Sequence, residues 1–144
     1  MLHAIPLTIL PLILYNLVGY GIAGADPWAG ELFRLPMPAG VPWTLRLGDL
    51  LIVFAIAMLF LEVRKALRAP RNSIINQTFS TIVLIAYAAE FFIAAAAAHS
   101  VFLILTLLSL FDVAVGYTMS IRPPARVAPP PEAPAPADRI DPVL

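Results

Sequence analysis

Two carboxylates stand inside apolar runs. Glu90 lies in Tyr-Ala-Ala-Glu-Phe-Phe-Ile-Ala, residues 87–94, and Asp112 lies in Leu-Ser-Leu-Phe-Asp-Val-Ala-Val, residues 108–115. No Lys or Arg falls within a helical turn of Glu90. An acid without a base in a low-dielectric medium is expected to hold its proton, alone or shared with a second acid. Such a group serves either as hydrogen-bonding glue between helices or as a proton or cation site.

Spacing groups further residues with the two acids. Tyr87, Glu90, Ala94 and Ala97 fall on one face of a helix by steps of three and four, and Thr106, Ser109, Asp112 and Gly116 do the same on the next. Asn16 is a third polar group at mid-span. Glu90, Asp112, Asn16, Tyr87 and Ser109 are therefore expected to form one polar cluster. A second group, Arg64, Lys65, Arg68 and Arg71, is basic and suits topology setting or contact with anionic lipid headgroups.

Other chemistry is not indicated. The chain has no Cys and two His, His3 and His99, so a disulfide, a thiolate metal site and a zinc site are not expected. Net charge is zero, which gives no electrostatic case for nucleic acid. No Gly-rich phosphate loop, GxSxG or HExxH occurs. The expectation is a protein without enzymatic activity, metal or cofactor.

The elements that must position the acids follow from hydropathy. The 144 residues are 60% hydrophobic and 12% charged, with mean hydropathy +0.88. A soluble domain carries about 25% charged residues, so the composition points to an integral membrane protein. Four spans are expected, at about 4–23, 47–64, 79–98 and 101–120. The run from Phe79 to Met119 would cover about 60 Å as one helix, twice the hydrocarbon core, so it must fold back. His99-Ser100 is the polar pair near its middle, and a tight turn is placed there. Glu90 and Asp112 then lie near midplane at similar depth. An acid at the centre of a span costs about 2.5–3.5 kcal/mol, which the Leu, Ile, Val and Phe of the same span offset.

The expected fold class is an all-α integral membrane protein. It is an up-down bundle of four transmembrane helices over residues 1–121, with a tight hairpin between helices three and four. A disordered Pro/Ala-rich tail covers 122–144. Thr44 is expected to cap the second helix, Asp49 to pair with Arg46, and Glu62 to pair with Lys65 at the membrane edge. Glu31–Leu35 is expected on the membrane surface, and Trp28 and Trp43 in an interfacial belt. Pro11 is expected to kink the first span. His99 is expected to be solvated near a helix C-terminus. Ala23-Gly24-Ala25 has the form of a signal-peptide cleavage site, but no basic residue precedes the apolar run, so retention as a helix is expected.

Arg64, Lys65, Arg68 and Arg71 lie between spans two and three, and Arg122 and Arg126 follow span four. The positive-inside rule puts both termini in the cytoplasm. Eight Arg against one Lys, with abundant Ala and Pro, fit a GC-rich bacterial genome and an inner-membrane location. The expected function is that of an accessory or assembly subunit, packing in the bilayer against a membrane-protein partner or against itself through pairs such as Gly19/Ala23 and Ala94/Ala98. The alternative is a small oligomeric proton- or cation-coupled transporter or channel using the midplane acids.

Overall fold

The computed structural model describes residues 5–21, 26–68 and 74–121. The chain is mostly helical, with α1 (Ile9–Gly21), β1 (Glu31–Leu35), β2 (Trp43–Arg46), α2 (Leu47–Arg68), α3 (Ile74–Ile93) and α4 (Ser100–Ile121). Short 3-10 turns occupy Pro27–Ala29 and Ala95–Ala97. The ends of the first expected span, Ala23, Arg71 and the 122–144 tail lie outside the described residues.

One described helix is long and apolar enough by itself to cross a membrane, α4 over Ser100–Met119. Helix α1 is apolar but has 13 residues. Helix α2 carries Asp49, Glu62, Arg64, Lys65 and Arg68, and α3 opens with Asn76 and Gln77.

The core stripe of α2 is Leu51, Ala55, Leu59 and Glu62. These positions recur every three or four residues, the period of one buried helix face. The helix starts in close contact with its neighbours. A Cβ added at Gly48 would come within 2.7 Å of Val101 Cγ2 and 3.1 Å of the Trp28 carbonyl oxygen. Only a glycine permits that approach without a shift. The aromatic centre of the core is Phe102, fully buried, with Tyr15 at 4.7 Å, Tyr87 at 5.6 Å and Phe91 at 6.4 Å between ring centroids.

The structure changes several expectations. The chain is not all-α, because 31–46 forms an antiparallel hairpin with Phe33 opposite Leu45, Arg34 opposite Thr44 and Leu35 opposite Trp43. Gly40 turns the loop with φ +79°, and its N–H donates to Met37 O at 3.0 Å. Thr44 belongs to β2 and does not cap α2. Asp49 does so instead, accepting the Arg46 backbone N–H at 2.9 Å, which satisfies a donor that the helix leaves open. This bond to the backbone replaces the expected ion pair with the Arg46 side chain. Trp28 is buried and stacks on Tyr15 at 4.6 Å, whereas Trp43 is exposed.

The third helix is displaced along the sequence. It begins at Ile74 and ends at Ile93, not Ala98. Alanine propensity alone would continue it. Instead Ala94 adopts an extended backbone, and the Tyr15 hydroxyl donates to Ala96 O at 2.7 Å. The tertiary bond satisfies a carbonyl that the interrupted helix leaves open. The connection is thus residues 94–99, not a tight turn at His99-Ser100. Helix α1 begins at Ile9, so Pro11 falls in its first turn, where no backbone bond is lost and no kink is required.

Candidate functional site

The expected single cluster is two separate ones. Asn16 reaches Glu90, with Nδ2 donating to Oε2 at 3.0 Å. Asp112 accepts instead from Thr8 Oγ1 at 3.3 Å. Thr8 and Asn16 are separated by about 12 Å of rise along the chain, so the two acids are held at different levels. Glu90 and Asp112 make no hydrogen bond to each other. The cause is the early end of α3. Glu90 lies about 10 Å beyond the centre of its helix, by rise per residue, while Asp112 stays near the centre of α4.

The larger cluster gathers around an acid expected only at the membrane edge. Glu62 is 2% exposed. It accepts from the Leu7 backbone N–H at 3.1 Å, from Lys65 Nζ at 3.1 and 3.3 Å, and from Asn76 Nδ2 at 3.2 Å. The expected Glu62–Lys65 pair is therefore present, but its acid is buried. A buried carboxylate is tolerable when charge and hydrogen bonds both compensate it, as here. Lys65 also donates to Ile5 O at 3.0 Å.

Asp112, 5% exposed, is the neighbour of Glu62 in this cluster, and the Ser80 hydroxyl also acts on it. Adjacent residues of the turn before α1 serve both acids, Leu7 through its backbone and Thr8 through its hydroxyl. The Tyr87 hydroxyl donates to Thr8 O at 3.0 Å. Helices α2, α3 and α4 thus all grip the start of α1. Ser109 is 1% exposed, one turn from Asp112 on α4, and its Oγ has no hydrogen-bond partner.

Of the expected site residues, Asp112 and Tyr87 meet at Thr8 in the cluster with Glu62, Ser109 lies one turn from Asp112, and Asn16 bonds Glu90 apart from them. Arg64 lies over the Phe60 ring at 5.7 Å, Lys65 is engaged by Glu62, nothing is described of the Arg68 side chain, and Arg71 is outside the described residues. Glu62, Thr8 and Asn76 were not expected at the site. For Glu62 a signal existed, because it falls on the same three-four stripe as Leu51, Ala55 and Leu59.

At the opposite end, His99 is the residue before α4, not one at a helix C-terminus. Its Nδ1 accepts the Val101 N–H at 3.2 Å, so that nitrogen carries no hydrogen. Nε2 then bears the hydrogen and donates to Asp26 Oδ2 at 3.1 Å. Both ring nitrogens are engaged, and neither is free to act as a general base. An open cleft of about 270 Å³ adjoins the pair, lined by Gly19, Trp28, Ala95 and Ala98 among others. No group of three metal-ligating side chains occurs among the described residues.

Compared with protein-family models, curated proteins and solved structures, the chain matches none.

Proposed function

We propose that this chain is a small polytopic protein of the bacterial inner membrane, with four spans and cytoplasmic termini. It has no enzymatic activity and acts as an accessory or assembly subunit, packing against a membrane-protein partner or a second copy of itself. The observation that carries the reading is the inverted distribution of polarity. Thr8, Glu62, Ser80, Ser109 and Asp112 are buried, whereas Leu17, Val53, Phe60, Ile85, Phe92, Ile93, Leu107 and Phe111 are exposed. Water would penalise so extensive an apolar exterior, and a soluble monomer rarely carries one. In hydrocarbon the same exterior is at home, and polar groups turn inward to find partners.

Helix α4 meets the length and hydropathy of a span alone. Helices α2 and α3 turn Glu62, Asn76 and Glu90 to hydrogen-bond donors and acceptors of the bundle. Ile5 and Lys65 are hydrogen-bonded, so the start of α1 and the basic end of α2 share one end of the molecule. The positive-inside rule makes that end cytoplasmic.

The glue reading of the acids is favoured over transport because each accepts hydrogen bonds from α1 or its preceding turn. The transport alternative relied on Glu90 and Asp112 acting together, and they are bonded apart. Affinity purification in mild detergent, followed by native mass spectrometry, tests the proposal. A membrane partner or second copy at fixed stoichiometry supports it. A clean monomer without partner contradicts it.

A further inference from the structure

The hairpin is the part of the chain that the bundle does not absorb. All five residues of β1 are exposed, and Leu32, Phe33, Leu35, Met37, Val41 and Trp43 are exposed apolar side chains. Its charges lie toward the base, where Glu31 and Arg34 form an ion pair at 2.7 Å and Arg46 stands opposite Glu31. The base is tied to α2 by the Leu47 N–H, which donates to Gly30 O at 2.9 Å. Beyond it, residues 35–45 contain no Asp, Glu, Lys, Arg or His.

We infer that this uncharged tip inserts into the headgroup–acyl boundary of the bilayer, on the side of the membrane opposite Lys65, and anchors the bundle there. The inference rests on the four-span reading. Three features select a lipid occupant. First, the apolar side chains run along one face of the ribbon, Phe33, Leu35 and Trp43, and round its tip, where Met37 is 43% and Val41 71% exposed. A protein partner covers one face, whereas a bilayer surrounds a tip on every side. Second, the ribbon continues the apolar exterior of α2, whose Leu50 and Val53 are exposed just past Asp49. Third, the side chains that leave the apolar surface are those that suit an interface: Trp43, with its indole N–H, and Arg34, whose long stem lets the guanidinium reach water. The outer edges of a two-stranded ribbon leave backbone N–H and C=O groups without strand partners. The dry hydrocarbon centre would not tolerate them, and the hydrated boundary does.

The chain has no Cys, so single labels are unambiguous. The full-length variants Met37→Cys, Val41→Cys, Arg34→Cys and Leu107→Cys are labelled with an environment-sensitive nitrobenzoxadiazole dye in vesicles of phosphatidylethanolamine and phosphatidylglycerol. Quenching is measured with nitroxide lipids and with aqueous iodide. The inference expects positions 37 and 41 to emit to the blue of position 34, with several-fold stronger lipid quenching and several-fold weaker iodide quenching. Water-like emission and iodide quenching at 37 and 41 would overturn it. Shielding from both quenchers would also overturn it, assigning the tip to a protein cover. Leu107 separates the two ideas. Lipid quenching there without lipid quenching at 37 and 41 removes the tip anchor alone, and water-like emission with iodide quenching at Leu107 removes the membrane reading as well.

Discussion

The two ends of the bundle hold α1 by different chemistry. At the Lys65 end, the turn before α1 is fastened by side chains of α2, α3 and α4 through Glu62, Tyr87 and Asp112. At the other end, α1 is held by Tyr15, which stacks on Trp28, meets the edge of Phe102 and donates its hydroxyl to Ala96 O, and by a single side-chain bond from Asn16 to Glu90. The first end depends on charge-assisted hydrogen bonds, which strengthen in a low dielectric but penalise any unpaired member. The second has one such bond, from Asn16 to Glu90, and otherwise depends on shape. In a bilayer, apolar burial gains little over lipid contact, so the aromatic end relies on packing itself. The polar end is therefore expected to be the more sensitive to removal of a single group.

Mutations rank that comparison. Glu62→Ala has the largest expected effect, a loss of about 3–5 kcal/mol, because Asn76 and the Leu7 N–H lose their acceptor and Lys65 keeps only Ile5 O and no charge partner. Thermal unfolding of the purified protein in detergent reads it, and Glu62→Gln is expected to recover part of the loss by keeping an oxygen acceptor. Phe102→Ala follows at about 2–3 kcal/mol, below or at the low end of the range for soluble cores, because the cavity term remains while the transfer term shrinks in lipid. If Phe102→Ala exceeded Glu62→Ala in the same assay, the ranking of the two ends would be reversed.

Smaller effects resolve the individual bonds. Thr8→Val removes the hydroxyl that serves Asp112 and is expected to cost about 1 kcal/mol, within the range of interhelical hydrogen bonds in membranes. Tyr15→Phe keeps the stack and loses the bond to Ala96 O, for about 0.5–1 kcal/mol. Protease sensitivity of the 94–99 connection should rise in that variant. Glu90→Gln is expected to be nearly neutral, since the amide oxygen still accepts from Asn16. A large destabilisation there would return Glu90 to the central place that its sequence context suggested.

Much of the helical plan was legible. The four helices follow the apolar runs, and the Glu62–Lys65 pair follows from spacing. Other features required tertiary information. Alanine at 94–98 promotes helix, and only the bond from Tyr15 and the packing of Ala97 reveal why the helix stops. That displacement of α3 separated Glu90 from Asp112, so an error in one boundary became an error in the site. The hairpin had a local signal in Leu-Phe-Arg-Leu and Trp-Thr-Leu-Arg flanking a Pro/Gly-rich loop, but helix periodicity elsewhere obscured it. The burial of Glu62 was legible from its core stripe, whereas its contact with the Leu7 N–H, across 55 residues, was not.

The central claim is that the buried acids fasten helices and do not move ions. Proton and sodium flux into vesicles reconstituted with the full chain tests it most directly. The account predicts flux equal to that of empty vesicles for the unmodified protein, Glu62→Gln and Asp112→Asn alike. Flux above empty vesicles that Glu62→Gln or Asp112→Asn abolishes, with the protein still folded, would contradict it.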